Sequence, residues 1–304
     1  MGKNRTYREL YERGELQNRI ERGYEILREC RLCPRECRVN RKKGKKGFCK
    51  AGIELTVSSF HAHFGEEPPI SGSRGSGTIF LTHCNLRCMF CQNYPISHLG
   101  NGNQISSSVF SQMMLNLQEK GCHNINLVTP TVFVPQILAG LLLAIQKGLN
   151  IPLVYNCSGY EKVETLKLLK GIIDIYMPDI KYGGREEGKK YSSAPDYFQV
   201  TKKAIREMYR QVGDLRVDQK GIAKKGLLVR HLVLPNKLAG TTRVFNFLAK
   251  EISTATYIST MNQYFPAYRA EEFEELKRRI TDKEYREALS TARELGLEKG
   301  WQQD

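Results

Sequence analysis

Three cysteines in one short segment give this sequence its clearest chemical signal. Cys84, Cys88 and Cys91 are separated by three and by two residues. Thiolates are the usual ligands of iron–sulfur clusters, and three of them in one loop favour metal ligation over packing as small hydrophobic side chains. The spacing therefore predicts that these cysteines bind three irons of one 4Fe–4S cluster and leave the fourth iron open.

A second group of cysteines lies nearer the N-terminus, at Cys30, Cys33, Cys37 and Cys49. Proline and glycine residues between them are typical of a loop that folds around a metal. Four thiolates suit either structural zinc or a second 4Fe–4S cluster, and the spacing does not decide between them. The other cysteine loop makes a cluster the preferred interpretation. The basic run 40–46 would stabilise an anionic thiolate site or contact a polyanion, although a solvated loop is the commoner case.

Length and charge set the limits for the rest of the chain. The 304 residues, 40% of them hydrophobic, suffice for one large α/β domain with appendages or for two domains. No run of 18 apolar residues exists, and the N-terminal residues lack an apolar signal region, so we expect a cytoplasmic protein with no membrane span. The net charge of +15 permits binding of nucleic acid or of an acidic flavodoxin- or ferredoxin-type electron donor, but a solvated basic surface is the simpler explanation.

From residue 76 onward, short apolar runs alternate with helical patterns. The predicted strands are 77–82, 124–129, 151–156, 172–178, 226–234 and 256–261. The predicted helices between them are 106–120, 134–147, 161–170, 194–212 and 241–252, with a loop at 213–225. This alternation predicts parallel pairing with right-handed crossovers, and six units make a partial (β/α)6 TIM-like barrel, an α/β fold that is open on one side.

The appended segments are predicted from composition. Residues 5–29 are predicted to be mostly helical and residues 269–298 to form a charged helical segment. We therefore expect an N-terminal helix with the four-cysteine module at 1–60, the barrel at 61–266 and a C-terminal helical extension at 267–304.

Polar residues follow or end several predicted strands, where the functional groups of α/β barrels gather, and two of them, Arg230 and His231, lie within the fifth strand. They are Thr129, Thr131, Asn156, Ser158, Asp179, Lys181, Arg230, His231 and Gln263. Each one alone has an ordinary structural explanation, such as a salt bridge or a buried histidine, but their joint placement indicates one site. Glu66 and Glu67 are predicted to be solvated loop residues without a catalytic role.

The cysteine segment resembles the signature of radical S-adenosylmethionine (SAM) enzymes, including the aromatic Phe90 before the last cysteine. The following Gln92-Asn93 resembles the subgroup around the pyruvate formate-lyase activating enzymes, in particular an uncharacterised iron–sulfur branch of it. Further stretches of resemblance are 30–37, 66–72, 155–160, 178–181, 230–235 and 261–264. His83 departs from the pattern, because a small residue such as glycine usually precedes the first cysteine.

The resemblance implies a partial barrel that holds a 4Fe–4S cluster and SAM. The methionyl amine and carboxylate of SAM would chelate the open iron, and an electron from the reduced cluster would break the S–C5′ bond. The resulting 5′-deoxyadenosyl radical would then take a hydrogen atom from the substrate, while the protein orients the reactants and excludes water.

The resemblance also suggests roles for the polar residues. Arg230 would offer paired donors to the SAM carboxylate, with a structural ion pair to Asp179 or a glutamate as the alternative. The remaining assignments are Thr129 and Thr131 in place of a Gly-Gly-Glu run that binds the amine, Asn156 and Ser158 for ribose or carboxylate contacts, and Asp179 and Lys181 near the cofactor and the substrate backbone.

The functional hypothesis is an activase-like oxidoreductase that abstracts hydrogen from a protein or peptide substrate, with glycyl-radical formation in a partner enzyme as one version. The alternatives are a zinc-stabilised, basic nucleic-acid-binding protein and a radical SAM enzyme that modifies RNA. Aromatic residues are not visibly interleaved with the basic ones, which speaks against a nucleic-acid surface.

Overall fold

A ten-stranded, mostly parallel sheet forms the centre of the chain in the computed structural model, which describes residues 6–302. The strands are β1 (Leu55–His63), β2 (Ser76–Leu81), β3 (Asn103–Ile105), β4 (Ile125–Val128), β5 (Leu153–Cys157), β6 (Ile175–Pro178), β7 (Arg216–Val217), β8 (Ala223–Leu232), β9 (Tyr257–Met261) and β10 (Gly300–Gln302). Their order in the sheet is β10-β9-β8-β6-β5-β4-β2-β1-β3, and β7 pairs with β8.

The six strands predicted from the apolar runs are β2, β4, β5, β6, β8 and β9. They pair with one another in parallel and in chain order. Strand β1 extends the sheet antiparallel to β2, and β10 extends the other end parallel to β9. Within residues 6–302 the sheet does not close, so the predicted α/β fold with a partial barrel is confirmed.

The helices are α1 (Thr6–Glu12), α2 (Glu15–Ile26), α3 (Pro68–Ser71), α4 (Tyr94–Ser97), α5 (Ser107–Glu119), α6 (Val134–Gln146), α7 (Val163–Leu168), α8 (Arg185–Ser192), α9 (Tyr197–Val212), α10 (Thr241–Glu251) and α11 (Asp282–Glu294). Local signals explain several of their ends. The Ser106 side chain caps α5 by accepting a bond from the Val109 N–H, and Pro135 is the second residue of α6, in the first turn, where no N–H partner is needed. None of the helices in the described residues is long and apolar enough to cross a membrane.

The described residues 6–29 are mostly helical, as predicted, whereas the structure differs from the sequence-based expectations in the C-terminal segment and in one loop. Gly14, with φ of 72°, separates α1 from α2 in the predicted N-terminal helix. The C-terminal segment is α-helical only in α11, where Thr281 and Glu284 form a capping box that starts the helix. The stretch 213–225 is not all loop, because β7 and the beginning of β8 pair there.

The hydrophobic core joins parts of all three predicted segments. Its largest cluster includes Tyr7 from α1, the inward faces of the barrel strands, and Leu297 after α11. Strand β1 crosses the predicted boundary at residue 60. The division at residues 60 and 266 stays a prediction.

Candidate active site

The three-cysteine segment, residues 84–91, forms a loop that follows the C-terminal end of β2; we call it the cluster loop. Buried Phe90 anchors it by edge contacts with the rings of Tyr264, Tyr182 and Tyr191, at centroid distances of 5.8, 6.1 and 6.4 Å. The Met89 N–H also donates a hydrogen bond of 2.8 Å to the carbonyl oxygen of Tyr191. Aromatic packing therefore fixes the loop at the edge where barrel enzymes place their chemistry.

Two left-handed residues shape the cluster loop. His83 has φ of 62° and Arg87 has φ of 57°, a region that favours glycine. A small residue was expected at position 83, and the positive φ gives the physical reason for that expectation. Burial and the charges of Lys46, Arg41 and Arg87 lower the pKa of His83 to about 4, so its imidazole is neutral at pH 7.

The thiols of the cluster loop are near neighbours in a setting that suits sulfur ligands. Burial, followed by the nearby Cys88 thiol, raises the pKa of Cys84 to about 12. The Leu86 N–H donates to Cys84 Sγ at 3.3 Å, a bond that stabilises a ligand thiolate. The buried Nη1 of Arg87 and Nδ1 of His83 have no hydrogen-bond partner among the described residues.

These observations fit an anionic cluster. Two unpartnered buried nitrogens beside thiols can be satisfied by sulfur or by a cofactor carboxylate. No three His, Cys, Asp or Glu side chains of residues 6–302 are placed to enclose a single metal ion. In a cluster, by contrast, each thiolate binds a different iron.

Asp179 and Lys181 lie next to the cluster loop, as the strand-end argument predicted. Lys181 Nζ contacts Asp179 Oδ2 at 2.6 Å. Burial opposes the ammonium charge, but the Asp179 carboxylate and the Cys88 thiol outweigh it and raise the pKa of Lys181. Burial raises the pKa of Cys88, and the Lys181 ammonium is the largest opposing influence. The Tyr197 hydroxyl fixes the segment by accepting from the Lys181 N–H at 2.9 Å and donating to the Ser158 carbonyl at 2.8 Å.

Ser158 and Asn156 end β5 and are nearly buried. The Ser158 hydroxyl lies 3.4 Å from Asn85 Oδ1, and Asn85 in turn donates to the Tyr160 carbonyl at 2.6 Å, so the end of β5 contacts the cluster loop. Thr129, with φ of 59°, donates its N–H to the Asn156 carbonyl at 2.9 Å. The structure brings these residues to one edge of the sheet, and their contacts with SAM stay predictions.

Glu161 is a buried carboxyl that the sequence reasoning missed. Thr131 donates its hydroxyl to Glu161 Oε1 at 2.6 Å, and the Tyr155 hydroxyl donates to Oε2 at 3.1 Å. Burial raises the pKa of Glu161 to about 7, although these hydrogen bonds act against the shift. The Thr131 hydroxyl is therefore engaged with Glu161 rather than free for a ligand. The sequence feature that could have pointed to Glu161 is its position directly after residues 156–160, which follow the third predicted strand.

Arg230 is held by the two glutamates that were expected to be solvated. Its Nε donates to Glu67 Oε1 at 2.8 Å, its Nη2 donates to Glu67 Oε2 at 2.7 Å, and it also pairs with Glu66. Both glutamates are buried, which corrects the prediction of a solvated loop. The ion pair with a glutamate, the alternative considered for Arg230, is present, and a contact with the SAM carboxylate stays a prediction.

Two other strand-end residues have structural partners. His231 is buried, with Nδ1 2.7 Å from the Ile180 carbonyl and Nε2 2.9 Å from Thr241 Oγ1, so it is a satisfied core histidine. The carbonyl of Gln263 accepts a bond of 3.1 Å from Gln92 just after the cluster loop. Cys122 and Cys157 are buried, as expected of small hydrophobic side chains.

The N-terminal cysteines are also mutual neighbours. Burial raises the pKa of Cys33, opposed by the Arg35 N–H and assisted by Cys49 and Cys30. The Phe48 N–H donates to Cys37 Sγ at 3.3 Å. A Cβ atom at Gly47 would lie 2.8 Å from the same sulfur, so only glycine leaves room there. The module thus has close thiols and N–H donors, and its metal stays a prediction.

The fold and the cluster loop define a class of protein that comparison with known proteins supports. Residues 78–215 match the family described as the Radical SAM superfamily. This chain belongs to the radical SAM superfamily, which implies an enzyme that uses a 4Fe–4S cluster and SAM.

Among individual proteins, the chain is similar to the uncharacterized protein MJ0674 of Methanocaldococcus jannaschii. The two are 32% identical over 292 residues, which covers 93% of this chain and 80% of that protein. It is also similar to the crystal structure of HydG, a maturase of the FeFe-hydrogenase, with a TM-score of 0.46 and 14% identity. That match covers 72% of this chain and 48% of the HydG chain, so this chain spans about half of HydG.

Proposed function

We propose that this radical SAM enzyme abstracts a hydrogen atom from a protein or peptide substrate, in the manner of the activating enzymes. The observation that carries the proposal is the meeting of the cluster loop with the Asp179–Lys181 pair at one edge of the sheet. Cys84, Cys88 and Cys91 would hold the cluster, which, when reduced, supplies the electron that cleaves SAM to a 5′-deoxyadenosyl radical.

The roles of Asp179 and Lys181 follow from their charges and partners. Lys181 keeps a partly buried ammonium near the Cys88 thiol and would offset the negative charge of thiolate ligands there. Asp179 orients that ammonium through their bond of 2.6 Å. Residues that fix charge next to the radical source in this way also restrict the approach of the substrate.

A groove lined in part by residues that follow Lys181 in the sequence supports a chain-like substrate. It has a volume of about 800 Å³ and begins at Gly183 and Gly184, just after Lys181, and at Val233 after β8. Glu284 and Glu287 of α11 also line the groove, together with Lys237. A groove of this size accommodates a peptide segment, with charges of both signs to contact polar side chains. Formation of a glycyl radical in a partner enzyme is the specific version of this activity.

The basic surface supports an acidic protein as the electron donor more than it supports RNA. A second groove of about 400 Å³ is lined by Arg185, Lys202 and Arg243 together with Phe198 and Phe247. The two phenylalanines are 8% and 4% exposed, so their faces are not available for stacking on bases. An acidic flavodoxin- or ferredoxin-type donor could dock through the positive charge of this surface without any stacking on aromatic rings.

Transfer of deuterium tests the substrate class. The anaerobic, reduced enzyme is incubated with SAM and a fully deuterated cell extract, and deuterium in 5′-deoxyadenosine is measured by mass spectrometry. We expect label that disappears after the extract is treated with protease but survives nuclease. Label that nuclease removes would favour the RNA alternative, and label that passes a small-molecule filter would contradict the proposal. Cys88→Ala should give no label, whereas the matched control Cys122→Ala should give the normal amount.

A further inference from the structure

The four-cysteine module is bound directly to the cluster loop through Arg35, which lies between Cys33 and Cys37. Arg35 Nε donates to the Asn85 carbonyl at 2.9 Å and Nη2 donates to the Leu86 carbonyl at 3.4 Å. Its Nη2 also donates to the Ser192 carbonyl at 2.7 Å, at the end of α8. One side chain of the module therefore joins the backbone between Cys84 and Cys88 to the barrel.

Two more arginines belong to the same region, Arg41 within the module and Arg87 within the cluster loop. The guanidinium of Arg41 is 1% exposed and donates to the carbonyls of Gly52 and Val132, at 3.0 Å from Nε and 2.7 Å from Nη1. Arg87 of the cluster loop lies over the ring of Phe48, 6.0 Å from its centroid, next to Cys49. Arg35 lies over the same ring at 3.9 Å. We call Arg35, Arg41 and Arg87 the arginine seam.

No carboxylate within residues 6–302 forms a salt bridge with the arginine seam. In the part of the chain that the structure describes, none of its three members forms a salt bridge; Arg35 and Arg41 donate to carbonyl oxygens, and one buried nitrogen of Arg87 has no acceptor. The module itself contains nine basic residues and one acidic residue between positions 30 and 52. A buried guanidinium without a counter-charge is unfavourable, so an anion is expected close by.

Metal-bound thiolates would provide that anion on both sides of the seam. Four thiolates around zinc or around an oxidised 4Fe–4S cluster carry a net charge of about −2, whereas four protonated thiols carry none. Arg41 donates to the carbonyl of Gly52, three residues after Cys49, so its charge lies against the module. No three His, Cys, Asp or Glu side chains of residues 6–302 are placed to enclose a single ion, so the four thiols fit a cluster, in which each binds a different iron, better than they fit zinc.

We infer that Cys30, Cys33, Cys37 and Cys49 hold a second iron–sulfur cluster, and that the arginine seam couples it electrostatically to the cluster loop. This inference goes beyond the proposed function and does not depend on the substrate. Positive charge between two anionic centres favours their reduced states, so the seam raises both reduction potentials.

Metal analysis of the full-length, anaerobically reconstituted protein tests the inference. We expect about eight irons per chain and no zinc, because each cluster contributes about four. Cys33→Ala should lower the iron to about four and leave the SAM-dependent change in the electron paramagnetic resonance signal intact. Cys122→Ala, the matched control, should keep about eight. Loss of the SAM-dependent change in the wild type would instead count against the proposed function.

Two results would overturn the second cluster. About four irons with one zinc that Cys33→Ala removes would show a zinc module, and about four irons without zinc would show no metal there. Arg35→Gln keeps every cysteine and so covers the case in which Cys33→Ala does not fold. It should retain about eight irons and shift both midpoint potentials to more negative values, while Arg35→Lys should shift them less. Unchanged potentials in Arg35→Gln would refute the electrostatic coupling.

Discussion

Replacement of Arg230 by methionine removes the partner of two buried carboxylates. The side chains of Arg230, Glu66 and Glu67 are 15%, 6% and 1% exposed. Breaking a buried ion pair while its other members remain costs about 3–5 kcal/mol of unfolding free energy. Asn126 Nδ2, 2.9 Å from Glu66 Oε1, compensates only part of this loss because it carries no charge. We therefore expect Arg230→Met to lower the stability by that amount in urea unfolding of the anaerobic holoprotein.

The pH dependence makes the prediction specific. Burial would raise the pKa of Glu66, but Arg230 and His63 outweigh it and lower the pKa from 4.5 to about 2. The corresponding stability, about 3 kcal/mol, is present above pH 4.5 and is lost as the pH falls towards 2. Without Arg230 the burial effect is less opposed, so the variant should become more stable as the pH falls from about 7 to about 5.

An exposed pair supplies the control. Arg206 pairs with Glu251, with side chains 44% and 41% exposed, so Arg206→Met should cost less than about 1 kcal/mol. If Arg230→Met costs no more than this control, or if its stability does not rise on mild acidification, the buried ion pair does not hold this part of the barrel as described.

Three further predictions concern other parts of the molecule. Because the folded protein raises the pKa of Glu161 from 4.5 to about 7, the wild type should lose about 3 kcal/mol of unfolding free energy as the pH rises through that range. Glu161→Gln should remove this loss, which urea unfolding at a series of pH values measures. Gly47→Ala would place a Cβ atom 2.8 Å from Cys37 Sγ, so metal analysis should show that it loses the metal of the module but keeps that of the cluster loop. Thr281→Ala removes the cap of α11 and should cost about 1 kcal/mol in thermal unfolding, whereas Ser290→Ala within the same helix should not.

The parallel strands could be predicted because their signals are local, and the prediction of a cluster at the three cysteines rests on an equally local signal. Each strand is a short apolar run between helical segments, and three cysteines within eight residues need no distant partner to suggest a cluster. The positions of Asp179 and Lys181 after a predicted strand also placed them at the same edge of the sheet as the cluster loop, because the C-terminal ends of parallel strands lie at one edge.

The unpredicted features depend on distant contacts. Glu66 and Glu67 look like loop residues until β8 brings Arg230, more than 160 positions later in the sequence, against them. Glu161 becomes a buried acid only because Thr131 and Tyr155 surround it. The residue type alone predicts that a charged side chain is exposed to solvent. Whether it is buried depends on how the whole chain packs around it.

The binding of SAM to the cluster loop is the central claim, and electron paramagnetic resonance tests it most directly. The anaerobic, reduced protein is measured with and without SAM, in the wild type and in Cys88→Ala, with Cys122→Ala as the control. The claim predicts an iron–sulfur signal that SAM alters in the wild type and in Cys122→Ala, and no SAM-dependent change in Cys88→Ala. A wild-type signal that SAM leaves unchanged, or one that still responds to SAM in Cys88→Ala, would contradict it.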